Sequence, residues 1–429
     1  MTNDCDFGPS SLRQTLAEAA LIPGADTLTP DPILEGIPLT PANELLATGA
    51  APITVDATNL QGGLTITGGD ANRLFRVASG TTLDLKRLTL THGRTSGAFP
   101  DGYGGGIFAQ GPLNLTDCTL SDCTATTAGG ALAALNGGDV TATRCALVNN
   151  SASYGGAVQN EASFIALTST FAGNRATLVG GAISAPFGHS TLLKHCTLST
   201  NSAGTSGGAY DGTGLLIENT IAAGNTAPTG PNINGAIAGL GPANLLSGSP
   251  QLFPQANYGG FSPTMPPLPG SPARNAAASS LISEPIDQRG FAREATPDIG
   301  AAEYLGSDFP APDWLDDWDH DGIANGVELA LGTDPTLGDP GSTKNLRMVR
   351  QPNGLNVLTF GYNSALAGQA RWVLKSSHNL TTWDDVFVWD GSLHFFGDTT
   401  GGLSGSTFTI RNARPGTRLF YRFEAETVP

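Results

Sequence analysis

Positive charge is scarce in this chain: 21 Lys and Arg stand against 37 Asp and Glu in 429 residues, for a formal net charge of −16. A globally acidic protein is a poor partner for nucleic acid or for an anionic membrane surface. Charged residues of both signs make up only 14%, against roughly 25% in an ordinary soluble domain. With 57 Gly and 29 Pro, few long helices can be built. No run approaches 18 consecutive apolar residues, which excludes a transmembrane helix, and 39% hydrophobic content argues against wholesale disorder. Cysteine is sparse and odd in number: Cys5, Cys118, Cys123, Cys145 and Cys196. This is no disulfide framework, and no Cys/His spacing points to zinc. Cys118 and Cys145 fall within bonding reach on adjacent repeats, yet buried free thiols are the expectation.

What the chain does have is unevenly placed. Residues 305–343 carry nine acidic and no basic residues, and all five Trp lie beyond residue 313. A boundary therefore falls near 304. A Gly-Gly-apolar step recurs at Gly105-Gly106, Gly129-Gly130, Gly155-Gly156, Gly180-Gly181 and Gly207-Gly208, with spacings of 24, 26, 25 and 27. Ahead of the pairs stand an apolar residue, then Asn, then Ala: Leu147, Asn150 and Ala152; Phe171, Asn174 and Ala176; Leu198, Asn201 and Ala203. Cys123 replaces Asn in the first copy, and Asn225 marks a degenerate last one. Units of this length hold two or three short strands and cannot bury an apolar face alone. Stacked about 4.8 Å apart, they make continuous parallel sheets around one core. The period predicts an all-β, right-handed parallel β-helix in which Gly pairs permit tight corners and Asn side chains bond the next coil. Cys118, Cys145, Ser169, Cys196 and Asn219 are expected on one inward ladder.

Phe171-Ala172-Gly173-Asn174 followed by Gly180-Gly181-Ala182-Ile183 resembles the FxxN and GGAI repeats of polymorphic outer membrane proteins, over about 105 to 235. Ser11-Leu12-Arg13-Gln14 reads as a capping box opening a helix through Ala20, with Leu12 and Leu16 on one face, suited to an N-terminal lid. With Pro23-Gly24-Ala25-Asp26-Thr27 it resembles the start of bacterial β-helix proteins of the CSLREA-like kind, where a leader normally precedes it. No signal peptide is visible at Met1, so a clipped leader or misassigned start is the expectation. Residues 53–93 alternate apolar and polar, as earlier coils would. Gly270-Ser271-Pro272-Ala273, Asp287-Gln288-Arg289-Gly290-Phe291 and Asp298-Ile299-Gly300-Ala301 resemble the closing segment of the choice-of-anchor Q family. That resemblance implies a secreted surface protein without known catalysis. Asp287 and Arg289 are read as a structural ion pair tying down a C-terminal cap, a functional role being the alternative.

Asp317 to Glu328 fits the D-x-[DN]-x-[DN]-G-x5-E pattern at every fixed position. Asp317, Asp319 and Asp321, the carbonyl of Ile323, Asn325 and bidentate Glu328 would supply hard oxygen ligands for Ca2+, with Gly322 making the turn. The segment resembles a bacterial thrombospondin type 3 repeat or a dockerin half-site, in one copy. Beyond it, short apolar strands predict a β-sandwich, and Ser376 to Trp383 resembles a signature of terminal sandwich modules on large secreted bacterial proteins. The organisation is then a cap and first coils (1–100), a Gly-Gly β-helix (101–237), an irregular closing segment (238–304), an acidic calcium linker (305–343) and a sandwich (344–429).

A glycosidase needs paired carboxylates about 5 to 9.5 Å apart, and a lyase needs a base beside a cation. Between 101 and 237 only Arg144, Arg175 and Lys194 are strong bases, and the repeat puts Arg144 and Arg175 on different corners. Asp117, Asp122 and Asp139 lack an evident His or Arg companion. His189 and His195 are expected at the surface, and Tyr103 and Tyr154 offer a weak sugar-stacking patch. The expectation is a non-catalytic, monomeric, adhesive or structural protein, secreted or on the bacterial surface, meeting extracellular polysaccharide or surface components. A polysaccharide-binding or polysaccharide-degrading protein is the alternative.

Overall fold

A computed structural model describes residues 1–135, 137–278 and 284–305, together with eight strands between 346 and 427. The chain divides into two units, Met1–Pro250 with Gln255–Pro267 and Pro272–Glu303, and Gln251–Pro254 with Leu268–Ser271 and Tyr304–Pro429. The first is a parallel β-solenoid of about 8 turns, in an all-β chain with 5% helix.

The coils build four parallel sheets, and the central coils visit all four. One coil runs Ile107–Ala109, Leu113–Thr116, Thr119–Ser121 and Thr124–Ala125, and these strands belong to sheets of eight, nine, seven and five strands respectively. The alternation in Val140–Thr143 and Phe164–Leu167 buries every second side chain, as the pleat requires when one face meets a core. The buried cluster is continuous from Leu12 to Ala222, with Phe75, Phe164, Phe171 and Tyr210 as its bulkiest members. The helix α1 (Leu12–Ala19) adds Leu12, Leu16 and Ala19 to the same cluster. Only half of a capping box forms there. Ser11 Oγ accepts from Gln14 N, while the Gln14 side chain turns forward to Glu18.

Three corners of each coil take a left-handed backbone. At one, Gly104, Gly129, Gly155, Gly180 and Gly207 have φ between +57° and +68°, where glycine has no Cβ to clash. The residue after each has no room either, and there the obstacle is the next coil: a Cβ on Gly130, Gly156 or Gly181 would fall 2.1 to 2.2 Å from that coil's carbonyl oxygen. The register corrects the frame of the first repeat by one residue. Ile107 pairs Leu132, so Gly104-Gly105 is the equivalent of Gly129-Gly130, and Gly106 aligns with Ala131.

The asparagines form a buried ladder. Asn150 Nδ2 donates to Leu120 O at 3.0 Å and its Oδ1 accepts from Cys123 N at 3.0 Å. Asn174, Asn201 and Asn225 repeat both bonds one coil further on. Asn232, which the period did not single out, ends the series by accepting from Asn225 N at 3.1 Å. The neighbouring inward ladder is Cys118, Cys145, Ser169, Cys196 and then Thr220, not Asn219. Thr197 pairs Ile221, and Thr220 Oγ1 accepts from Cys196 N at 3.1 Å. All five cysteines are free and the four in the solenoid are buried. Burial pushes the Cys123 and Cys196 thiols up to about 12 and raises Cys145 as well.

In the second unit the eight strands make two antiparallel sheets of four. One orders Leu346–Arg350, Asn356–Gly361, Thr407–Asn412 and Thr399–Ser404; the other orders Leu393–Phe395, Asp384–Trp389, Ala370–Ser377 and Phe420–Thr427. Val373, Leu374 and Val388 are buried. The calcium ligands Asp317, Asp319, Asp321, Ile323, Asn325 and Glu328 lie outside the described residues, as do residues 378–383 of the sandwich signature.

Candidate functional site

The corner between the nine-stranded and seven-stranded sheets carries the solenoid's densest chemistry. Sequence register stacks Arg87, Asp117, Arg144, Thr168, His195 and Asn219 there on successive coils. All six have φ between +47° and +59°, a conformation that costs a non-glycine residue about 1 to 2 kcal/mol. Over this corner lies the closing segment. It is a strap running back along the solenoid's flank rather than a plug at its end. Ala278 N and Gly300 N both donate to Asn219, at 2.8 and 3.0 Å. Ala301 N reaches Thr197 Oγ1 at 3.0 Å, and Thr170 Oγ1 donates to Gln288 Oε1 at 2.7 Å. Glu284 pairs with Arg144 at 3.5 Å, and Phe261 sits under the Arg87 guanidinium, 5.4 Å from centroid to Cζ.

The strap is held by its own charged knot. Asp287 accepts from Arg289 Nε and Nη2 at 2.9 and 2.8 Å and from the backbone of Arg289, Phe291 and Glu303. Arg289 and Asp287 side chains are both 0% exposed. Arg293 pairs with Glu303 at 2.5 Å, and Glu303 accepts from Asp298 N. Burial pushes the Glu303 carboxyl up to about 7, against the opposing pull of Arg293.

Several sequence expectations change here. Asp117 does have a cationic companion: Arg144 Nε and Nη2 hold its two oxygens at 2.7 and 3.0 Å across one coil spacing, and the bond to Asp117 raises the Arg144 pKa. The alignment of Cys118 with Cys145 already implied this pair, because it makes residues 117 and 144 neighbours too. Asp122 belongs to a different left-handed corner, Asp139 accepts from Ser163 N, and Arg175 is exposed at the start of a five-stranded-sheet strand. Lys194 pairs with Glu218 at 3.2 Å. His195 is buried, not at the surface, while His189 sits half-buried in a separate turn, so the two make no dyad. Tyr103 packs edge-on against Phe99 at 5.3 Å, and Tyr154 is 40% exposed two coils away, linked through Ala128.

Asn219 Nδ2 lies 3.2 Å from His195 Nε2 and also donates to Ala278 O. An amide donor there fixes Nε2 as acceptor and the ring as neutral. Burial, with Arg293 and Lys194 nearby, drives the His195 pKa down to about 3. A lowered folded-state value means that the unfolded chain binds the extra proton, so stability from His195 is complete above pH 6.5 and drains away toward pH 3. Glu303 has the opposite sign: its contribution is present below about 4.5 and is lost as pH rises through about 7. Between pH 4.5 and 6.5 the two slopes oppose. Thermal melting across that window should therefore show a nearly level profile in the wild type, a profile falling with pH in His195→Gln, and one rising with pH in Glu303→Gln. Unchanged profiles in both variants would contradict the assignment.

Beside Arg87, between the stacked corner and the strap, opens a cleft of about 620 Å³ lined by Gln61, Arg87, Asp117, Arg144, Gln288 and Arg289 among others. Searches against protein-family models, curated proteins and solved structures find no match to the chain. No helix among the described residues is long and apolar enough to cross a membrane.

Proposed function

We propose that this chain is a non-catalytic, secreted or cell-surface protein with an adhesive or structural role: a right-handed β-helix lidded by α1, joined through a calcium-binding linker to a C-terminal β-sandwich. The observation that carries this reading is where the solenoid's polar side chains are used. Asp117 and Arg144 close on each other, Lys194 closes on Glu218, the asparagines bond coil to coil, and the strap's acids and arginines form a buried knot. These contacts hold a rod in shape. A catalytic carboxylate needs a free lone pair facing substrate, and Asp117, the candidate nearest a base, has both oxygens held by Arg144.

The resemblance to choice-of-anchor Q and polymorphic outer membrane protein repeats supports an extracellular or bacterial-surface location. Incubation with a panel of neutral and acidic polysaccharides should release no new reducing ends or unsaturated products; turnover of any member would replace the scaffold reading with the degrading one. For the linker, Asp317, Asp319, Asp321, Asn325 and Glu328 form a carboxylate-dense set that is costly without a cation. Adding millimolar Ca2+ should raise the melting temperature of the full chain and give a calorimetric binding signal near one ion per chain. Glu328→Gln should weaken that signal by about tenfold or more. No response to millimolar Ca2+ in the wild type would remove the metal from the proposal. The cleft beside Arg87 favours polysaccharide binding as a second reading.

A further inference from the structure

We infer that the cleft between the stacked corner and the strap is a binding site for an acidic oligosaccharide chain bearing uronate carboxylates, anchored by Arg87. The cleft belongs to the solenoid unit alone, and its floor is drawn from consecutive coils. Thr58 and Gln61 come from one, Arg87 from the next, and Asp117 and Arg144 from the two after that. Arg87 and Arg144 are thus two coil spacings apart, about 10 Å, so an extended chain lying along the solenoid axis would pass both.

The three arginines of the cleft are not equivalent. Arg144 is neutralised by Asp117 and Glu284, and Arg289 by Asp287. Arg87 has no carboxylate partner among the described residues. Its Nη2 donates to Gln61 O at 2.9 Å, and its guanidinium lies on the Phe261 ring. Those two contacts fix the plane of the fork while leaving it without a carboxylate bonded to it among the described residues. A planar carboxylate is the anion that a held guanidinium fork matches, through two parallel hydrogen bonds. The rest of the lining suits a sugar rather than a peptide. Gln61, Asn257, Thr58 and Thr89 line the cleft, and carboxamides and hydroxyls exchange hydrogen bonds with ring hydroxyls; the Gln288 carboxamide, bonded to Thr170, Ser262 and Pro263, holds the strap instead. Glycines line the strap side at Gly259, Gly260 and Gly290, so the chain can approach the backbone closely.

This inference goes beyond the scaffold reading and is separable from it, since a site can bind without cleaving. The probe is an oligogalacturonate, titrated into the full chain by calorimetry at low salt, beside a neutral oligosaccharide of the same length, a sulfated one and a poly-glutamate peptide. The expected result is saturable binding of the oligogalacturonate, weaker binding of the sulfated chain, and none of the neutral one. Arg87→Gln should lose about tenfold or more in affinity, Arg87→Lys should recover only part of it, and Arg175→Gln, at a different corner, should bind as the wild type. Melting curves of the Arg87 variants within a few degrees of wild type keep a folding defect apart from a lost contact. Equal binding of the neutral chain, tighter binding of the peptide, no binding at millimolar oligogalacturonate, or undiminished binding by a folded Arg87→Gln would each overturn the site.

Discussion

Gly156→Ala is expected to destabilise the solenoid by at least about 3 kcal/mol, the top of the ordinary range for overpacking. The added Cβ would lie 2.1 Å from Gly181 O and within 2.7 Å of two Arg175 backbone atoms. None of these is the end of a flexible side chain, so relief requires that two coils part. Parting them lengthens the bond from Gly156 N to Gly180 O, now 2.9 Å, and strips packing from the core beside Ala157. Gly80→Ala supplies the comparison. Its φ is +83°, but a Cβ there meets nothing within 4 Å, so only the backbone term of about 1 to 2 kcal/mol applies. Urea or thermal melting of both variants tests the point. If Gly156→Ala were no worse than Gly80→Ala, close coil approach would not be the reason for the second glycine of the repeat.

Arg289→Met is expected to cost about 3 to 5 kcal/mol, because it leaves Asp287 as a buried carboxylate without its counter-ion. In a unit of this size that lowers the melting temperature by on the order of 10 °C. Three backbone donors would still point at Asp287, so the loss is that of a charge pair and not of every contact. Replacing both partners by apolar residues, Arg289→Met with Asp287→Leu, should recover part of the loss, since an empty pair is less costly than half of one. Limited proteolysis would locate the damage. Early cuts between 255 and 303 are expected in the single variant, and cuts appearing first within the coils instead would show that the knot does not hold the strap.

The coils were readable in advance because their constraint repeats. A left-handed corner with no room for a Cβ recurs every coil, so Gly-Gly recurs, and a buried backbone group needing a partner recurs, so Asn does. Repetition also blurs its own frame. Three glycines in a row at 104–106 leave the frame open to a one-residue slip, which only the pairing of Ile107 with Leu132 closes. Asn219 and Thr220 are both small and polar, so only the pairing of Thr197 with Ile221 separates the outer-corner residue from the inner-ladder one. The Asp117–Arg144 pair is hidden for a different reason: the residues differ in sign and size, so they do not look like copies, although the period puts them in adjacent positions. The strap was legible in composition, as Pro-rich sequence without a period, but not in course. Its contacts join residues more than a hundred apart, such as Thr170 to Gln288 and Arg144 to Glu284, and no local pattern encodes them. His195 became buried through the same covering, which a lone histidine in a polar turn does not announce.

The strap also changes what kind of polymer the solenoid is. A stack in which each coil touches only its neighbours unfolds as a chain of weakly linked units and can fray from either end. Here one segment is tied to Asn219, Thr197, Thr170, Arg144 and Arg87 at once, so five coils share a single fastening. Fraying at the C-terminal coil must pull on Arg87. The transition becomes more nearly all-or-none than its repeats alone would make it. The fastening is also the last part of the solenoid unit in chain order, so a chain emerging from its N-terminal end can stack its coils progressively and acquire their common lock only when the stack is complete.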